Sequence, residues 1–206
     1  MLNSRTYGIP QDRQRLYLAG CRRDVSELRK FKFPSKGIQK PKDIESLLPP
    51  AKQHSAITDS ELSNTEMRNW KLIQEQMETR GALFPVIADF HQSHAFGTSW
   101  HSHYCPTITK TRARGRAFWL IDKRGGDLRK RRLDVEDYAA LQGWDRFGQK
   151  DHLRIGSKDC MRDYKMLEAL GNGFSVTVFQ AIFYKYLKCF KGSKVPSIKG
   201  FIPDDS

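Results

Sequence analysis

The chain has 206 residues, 38% of them hydrophobic and 11% aromatic, and it lacks the run of about 18 apolar residues that a membrane-spanning helix needs. That composition supports one core, or a core with a small appended domain, and excludes a disordered chain. Thirty-six Lys and Arg against 23 Asp and Glu give a formal charge of +13, which points to a polyanionic partner.

In chain order, residues 15–21 predict a buried strand, with Leu16 and Leu18 on one face and Tyr17 and Ala19 on the other. Residues 24–58 are rich in Lys, Pro and Ser and read as a connector, with a short helical suggestion at 43–47. Ser63 and Glu66 form a capping pair that opens a predicted helix over 63–78, with Met67, Trp70, Ile73 and Met77 on one side and Gly81 at its end. Residues 84–90 and 117–121 predict strands, and 101–109 a further one. Asp134 caps a short predicted helix over 135–141, and Ser175 opens a longer one over 176–190. Phe179, Ile182, Phe183, Tyr186, Leu187 and Phe190 recur there at helical spacing, as a core stripe would. No internal repeat is visible, and residues 191–206 read as a flexible tail.

The charge is unevenly spread. Between Lys110 and Arg132 ten basic residues face only Asp122 and Asp127, a net +8, interleaved with Phe118 and Trp119. Such a segment suits nucleic acid better than a merely solvated charge run does. The polar start Asn3-Ser4-Arg5 carries no secretory signal, and Cys21, Cys105, Cys160 and Cys189 are scattered without a CxxC pair. They read as reduced thiols of an intracellular protein. His91, His94, His101, His103 and Cys105 crowd one window, and the last three would share a strand face as zinc requires. The second ligand cluster of a zinc signature is missing, so no metal is expected and histidines near DNA phosphates fit better.

Three short blocks carry the chemistry. In Gln11-Asp12-Arg13-Gln14-Arg15 the arginines are two apart, so on an extended backbone both guanidinium forks leave one face and make a small clamp for phosphate or a base edge. Leu141-Gln142-Gly143-Trp144 closes a helical stretch with a glycine C-cap. Gly171-Asn172-Gly173-Phe174-Ser175-Val176 places a flexible turn and an amide side chain before a long helix, an arrangement suited to a small polar ligand.

Taken together and in this order, Tyr7-Gly8-Ile9-Pro10-Gln11-Asp12-Arg13-Gln14-Arg15-Leu16-Tyr17, the stretch Arg132 to Trp144, and Gly171 to Val176 resemble the closing blocks of the DNA cytosine-5 methyltransferases. Ala140 stands where that family usually has arginine, Asp145 where it has proline, and Gly173 and Ser175 are variants. The resemblance implies an α/β fold: an incomplete Rossmann-like, S-adenosylmethionine-dependent methyltransferase domain with an inserted small, mostly β and loop target-recognition domain. Residues 1–23 would belong to the core, 24–131 to the connector and recognition domain, and 132–190 to the return into the core.

By the same resemblance Gln11, Arg13 and Arg15 stand beside an extruded cytosine, with Arg15 contacting the target base or DNA without being the nucleophile. Lys110, Arg112, Arg114 and Arg116 would bind double-stranded DNA, and Asn172 and Gly173 would touch S-adenosyl-L-methionine. In that family a cysteine thiolate adds to C6 of the cytosine, a glutamate holds N3, and C5 then accepts the methyl group. No Pro-Cys, Glu-Asn-Val or glycine-rich cofactor block occurs in this sequence, and Cys105-Pro106 has the order reversed. Those blocks are expected upstream of Met1 or in a partner subunit, so the isolated chain should be inactive and, with unpaired sheet edges, poorly soluble. The alternatives are a non-enzymatic DNA-binding module descended from such an enzyme and, further off, an unrelated RNA-binding domain. The location would be the nucleus of a eukaryote, or the cytoplasm and nucleoid of a bacterium.

Overall fold

Two short apolar runs, buried on both faces, organise the larger part of the molecule. The computed structural model describes residues 1–20, 22, 31–35, 43–48, 56–91, 99–124, 126–144 and 163–190. Its strands are β1 (Leu2–Asn3), β2 (Gln14–Arg15), β3 (Val86–Asp89), β4 (Ser99–Ser102), β5 (Phe118–Arg124) and β6 (Asp127–Arg132). Its helices are α1 (Ile44–Leu47), α2 (Asn64–Arg80), α3 (Lys110–Arg114), α4 (Val135–Ala140), α5 (Asp163–Asn172) and α6 (Val176–Leu187). Helix and strand are therefore mixed, as the expected α/β class requires.

Strands β4, β3, β5 and β6 form one antiparallel sheet in that order, with Val86 opposite Ile121 and Leu120 opposite Arg131. Because side chains alternate across a strand, Val86, Ala88, Trp119 and Ile121 enter one core while Ile87, Phe118 and Leu120 enter the other. The first core is closed by Trp70, Ile73 and Met77 of α2, spaced to share a helix face. There Phe90 stacks between Trp70 and Trp119, with ring centroids 5.7 and 4.6 Å away. The second core receives Ile108 and Ala113 from the α3 region, Val135, Tyr138 and Ala139 from α4, and Leu167 and Leu170 from α5. Each fully buried side chain of this size contributes about 1.5–3 kcal/mol, so both sheet faces are strongly held.

Helix α2 starts and stops where its sequence dictates. Ser63 Oγ accepts from the Glu66 backbone N–H, the Glu66 carboxylate accepts from Ser63, and Gly81 closes the helix at φ 66°. Glu66 also accepts from Arg132 at 2.9 Å, tying the cap of α2 to β6. Asp134 and Asp137 form a second capping box on α4.

A smaller unit stands beside this one. Strands β1 and β2 pair over two residues, Leu2 with Arg15 and Asn3 with Gln14, joined through a 3-10 turn at Ser4–Tyr7. Helix α6 covers it with Val178, Ala181 and Ile182 against Tyr7. The units are joined by a parallel bridge between Gln11 and Cys105, where Asp12 N–H donates to Cys105 O at 2.8 Å and Cys105 N–H to Pro10 O at 2.6 Å.

Several elements differ from expectation. The strand over 15–21 contracts to Gln14–Arg15, and Leu16 and Leu18 are 73% and 91% exposed, because β1 offers only two residues of partner backbone. Cys21 lies outside the described residues. The strand over 101–109 stops at Ser102, where His103 turns the chain with φ 67°. The stripe on α6 is only partly core: Ile182 is buried, but Phe179 and Phe183 are 42% and 45% exposed, since Val178 and Ala181 turn toward Tyr7 instead. Strand β6 and helices α3 and α5 add to the predicted set. The tail over 191–206 lies outside the described residues.

Candidate functional site

The three sequence blocks converge on a single junction. Arg13, 2% exposed, sends its guanidinium inward from the first block. One nitrogen donates to Ile108 O, and another donates to Gly171 O at 3.2 Å and to Gly173 O. Arg13 and Arg15 therefore do not make a paired clamp on one face. Burial, with Arg15 adding to it, pushes the Arg13 pKa down to about 10, so the group stays charged at neutral pH. Three convergent carbonyl oxygens, each partially negative, hold that charge.

The middle block joins from the other side. Gln142 donates its amide to Leu170 O, and its backbone carbonyl accepts from Val176 N–H at 3.0 Å, at the start of α6. Gly143, at φ 84°, lies where an added Cβ would sit 3.3 Å from Thr177 and 3.5 Å from Ile9. A Cβ on Gly171 would fall 2.5 Å from the Cα of Lys110, so α3 and α5 cross at a distance only glycine allows. Gln11 is fully buried beside the bridge to Cys105, and neither of its amide atoms has a hydrogen-bond partner among the described residues. Among the same residues, Arg13 Nε, Gln142 Oε1, Ser175 Oγ and Thr177 Oγ1 are likewise buried without one.

Much of the basic segment is engaged internally. Lys110 pairs with Glu168, Arg112 lies 3.2 Å from Asp89, Lys130 pairs with Asp59, Arg131 with Asp137 and Arg132 with Glu66. Lys130 and Arg131 are buried, while Lys110, Arg112 and Arg132 keep part of their surface in solvent. Phe118 and Trp119, read in the sequence as interleaved with the charges, are fully buried in the two cores and offer no ring to a base. Arg114 is exposed, with its guanidinium 5.9 Å from the Tyr164 ring, and Arg116 follows it at φ 48°. Arg15 is half-buried and donates to Gln14 O. Lys110, Arg112 and Arg114 thus lie in α3, whose first residue meets Gly171, and Arg116 lies just past its end.

Asn172 is exposed at the last turn of α5, and Gly173 is half-buried. A Cβ on Gly173 would meet Ala169 O at 3.2 Å and Gln142 Oε1 at 3.4 Å. This glycine is thus tightly packed inside the junction, whereas the Asn172 side chain is exposed. Cys105 is fully buried and burial raises its thiol pKa, which removes it from nucleophilic chemistry.

Sequence reading missed Gln142 as the amide that links two blocks and Gly171 as a crossing point; the only signal for either was a glycine beside a polar residue. The sequence model of the C-5 cytosine-specific DNA methylases matches residues 1–188, which is most of the chain. No curated protein matches it.

Proposed function

The chain belongs to the C-5 cytosine-specific DNA methylase family, and from that premise we propose that it supplies the DNA-facing and cofactor-turn side of a cytosine-5 methyltransferase. The nucleophile would come from an upstream segment or a partner chain. The observation that carries this reading is the junction: blocks 158 and 160 positions apart in sequence meet through one arginine, in the order the family requires. The α6 unit would be the end of a Rossmann-like domain, and the sheet with α2 the recognition domain inserted into it.

Each residue then has a defined task. Arg15, on the rim of the first block, contacts the target cytosine or its DNA, while Gln11 and Arg13 shape the wall behind it. Arg114 and Arg116, with the exposed parts of Lys110 and Arg112, meet phosphates of double-stranded DNA. Asn172 holds one polar edge of S-adenosylmethionine beside Gly173; the exposed amide fits that part, and the buried hydroxyls of Ser175 and Thr177 lie in the next turn. When bound, that cofactor supplies the methyl group. Exposed Leu16, Leu18, Phe174, Phe179 and Phe183 offer apolar surface to the completing segment. The protein would work where the DNA is, in a nucleus or nucleoid.

Transfer of labelled methyl from S-adenosylmethionine to duplex DNA tests this. The purified chain alone should give none, and a family segment carrying a Pro-Cys block should restore it. Turnover by the chain alone overturns the partial-enzyme reading. Failure of restoration, with salt-dependent DNA binding intact, leaves a non-enzymatic DNA-binding module. Log affinity should fall with log salt by about 0.9 per phosphate contacted, and a flat dependence overturns DNA binding itself.

A further inference from the structure

Between the first block and the strap that follows β4 lies an open groove of about 350 Å³, lined by Asp12, Gln14, His101, Tyr104, Pro106 and Thr107. None of these residues is used in the function proposed above. Asp12 is held from several directions: Oδ1 accepts from Asn3 Nδ2 at 2.6 Å, its N–H donates to Cys105 O, and its carbonyl accepts from Thr107 Oγ1 at 2.6 Å. Its other carboxylate oxygen has no protein donor among the described residues. The carboxylate is therefore an acceptor fixed in place before any ligand arrives.

The rest of the groove is aromatic and cationic. The rings of His101 and Tyr104 lie 4.7 Å apart, tilted by 39°, and the exposed Arg5 guanidinium sits 4.2 Å from the centre of the Tyr104 ring. Burial lowers the His101 pKa, with Asp12 opposing and Arg5 reinforcing, so the ring is neutral at pH 7 and contributes a flat surface rather than a charge. A flat ring, an adjacent anionic group and hydrogen-bond donors on one edge are what these walls complement. Among the DNA bases, guanine alone presents two neighbouring donors, N1–H and N2–H, to a carboxylate. Adenine and cytosine place a ring acceptor beside their amino group, which Asp12 would repel.

We propose that this groove is a guanine pocket, in which Asp12 accepts from the Watson–Crick edge, Gln14 contacts O6, and Arg5 contacts the phosphate. That edge is already used in a duplex, so the base must come from an unpaired position in DNA or from a free nucleotide. The pocket goes beyond the methyl-transfer reading and requires only that the chain meets nucleotides.

Fluorescence anisotropy of the full chain with short labelled oligothymidylates carrying one central dG, inosine, dA or dC tests it, at one fixed salt concentration. The dG strand should bind about tenfold tighter than the others, the inosine comparison isolating the N2 amine. Asp12→Asn should bring dG down to the level of inosine, while Tyr104→Leu should weaken all four strands. Both variants are checked for an unchanged melting transition, and Gln14→Ala, at an exposed side chain, gives a reading free of folding effects by lowering affinity for dG and inosine, which share O6, and leaving dA and dC unchanged. Competition by GMP at concentrations near those of the strand assigns a free nucleotide as the source; competition only by dG strands assigns DNA. Equal affinity of the wild-type chain for all four strands overturns the pocket. Duplex binding measured in parallel separates that result from failure of the DNA reading, since a chain that binds duplex but does not discriminate loses the pocket alone.

Discussion

The sheet flanked by α2, α4 and α5 and the ribbon β1–β2 under α6 solve the same burial problem with different completeness. In the sheet, every side chain of β3 is buried and both faces of β5 are covered from Phe118 to Asp122. In the ribbon unit, two-residue strands carry a helix whose outer side leaves Phe174, Phe179 and Phe183 in a run of ring contacts at 4.9 and 5.7 Å, still open to solvent. A region that closes its own core can be stable by itself. The ribbon unit leaves aromatic rings on its outside; it carries the first sequence block and, from Phe174 to Val176, the end of the third, whose Gly171 and Asn172 close α5 in the sheet unit.

That contrast can be broken experimentally. The largest effect should come from Trp119→Ala, which empties the stacked core of the sheet and should cost about 3–5 kcal/mol in denaturant unfolding. Next is the junction between the regions: Arg13→Ala removes the donors to three carbonyls and should cost at least about 1.5–3 kcal/mol, with Arg13→Lys recovering little because an ammonium cannot fork. If Arg13→Lys were as stable as wild type, the junction would rest on charge alone. Gly171→Ala pushes a methyl into the backbone of α3 and should destabilise by about 1–3 kcal/mol, read by thermal melting.

Acid offers a smaller probe of the sheet. Burial works against the Glu66 carboxylate, but hydrogen bonds from Ser63 and the charge of Arg132 hold its pKa below the ordinary value. The folded state therefore binds fewer protons than the unfolded chain, so this stabilisation is present above a pH of about 4.3 and is lost as pH falls through the folded pKa. Glu66→Gln should cost roughly 1 kcal/mol at neutral pH and flatten the acid limb of the stability curve. Smallest of all, Phe179→Ser with Phe183→Ser should leave the isolated chain within about 0.5 kcal/mol while raising its solubility and weakening complementation by the catalytic segment. A large loss of stability in that double variant would show the aromatic side to be core after all.

Helix α2 was legible nearly to the residue, since Ser63, Glu66 and Gly81 act within the helix itself. Strands β3 and β5 were legible from short runs of β-branched and aromatic residues. Strand β6 was not, because Asp127-Leu128-Arg129-Lys130-Arg131-Arg132 reads as surface charge until Asp59 and Asp137 neutralise its buried members. Helix α5 was obscured because its last residues, Gly171 and Asn172, read as a turn. On α6 the spacing revealed a helix but not which side would be covered.

By itself the sequence determined the capped helices and the apolar strands, which depend on residues a few positions apart, and the order of the three blocks. Tertiary structure decided which cations are neutralised, which side of α6 remains open, and that Arg13 turns inward to the Gly171 and Gly173 carbonyls. Lys130 finds Asp59 across 71 positions and Arg13 finds Gly173 across 160, and no local pattern encodes a partner at that distance.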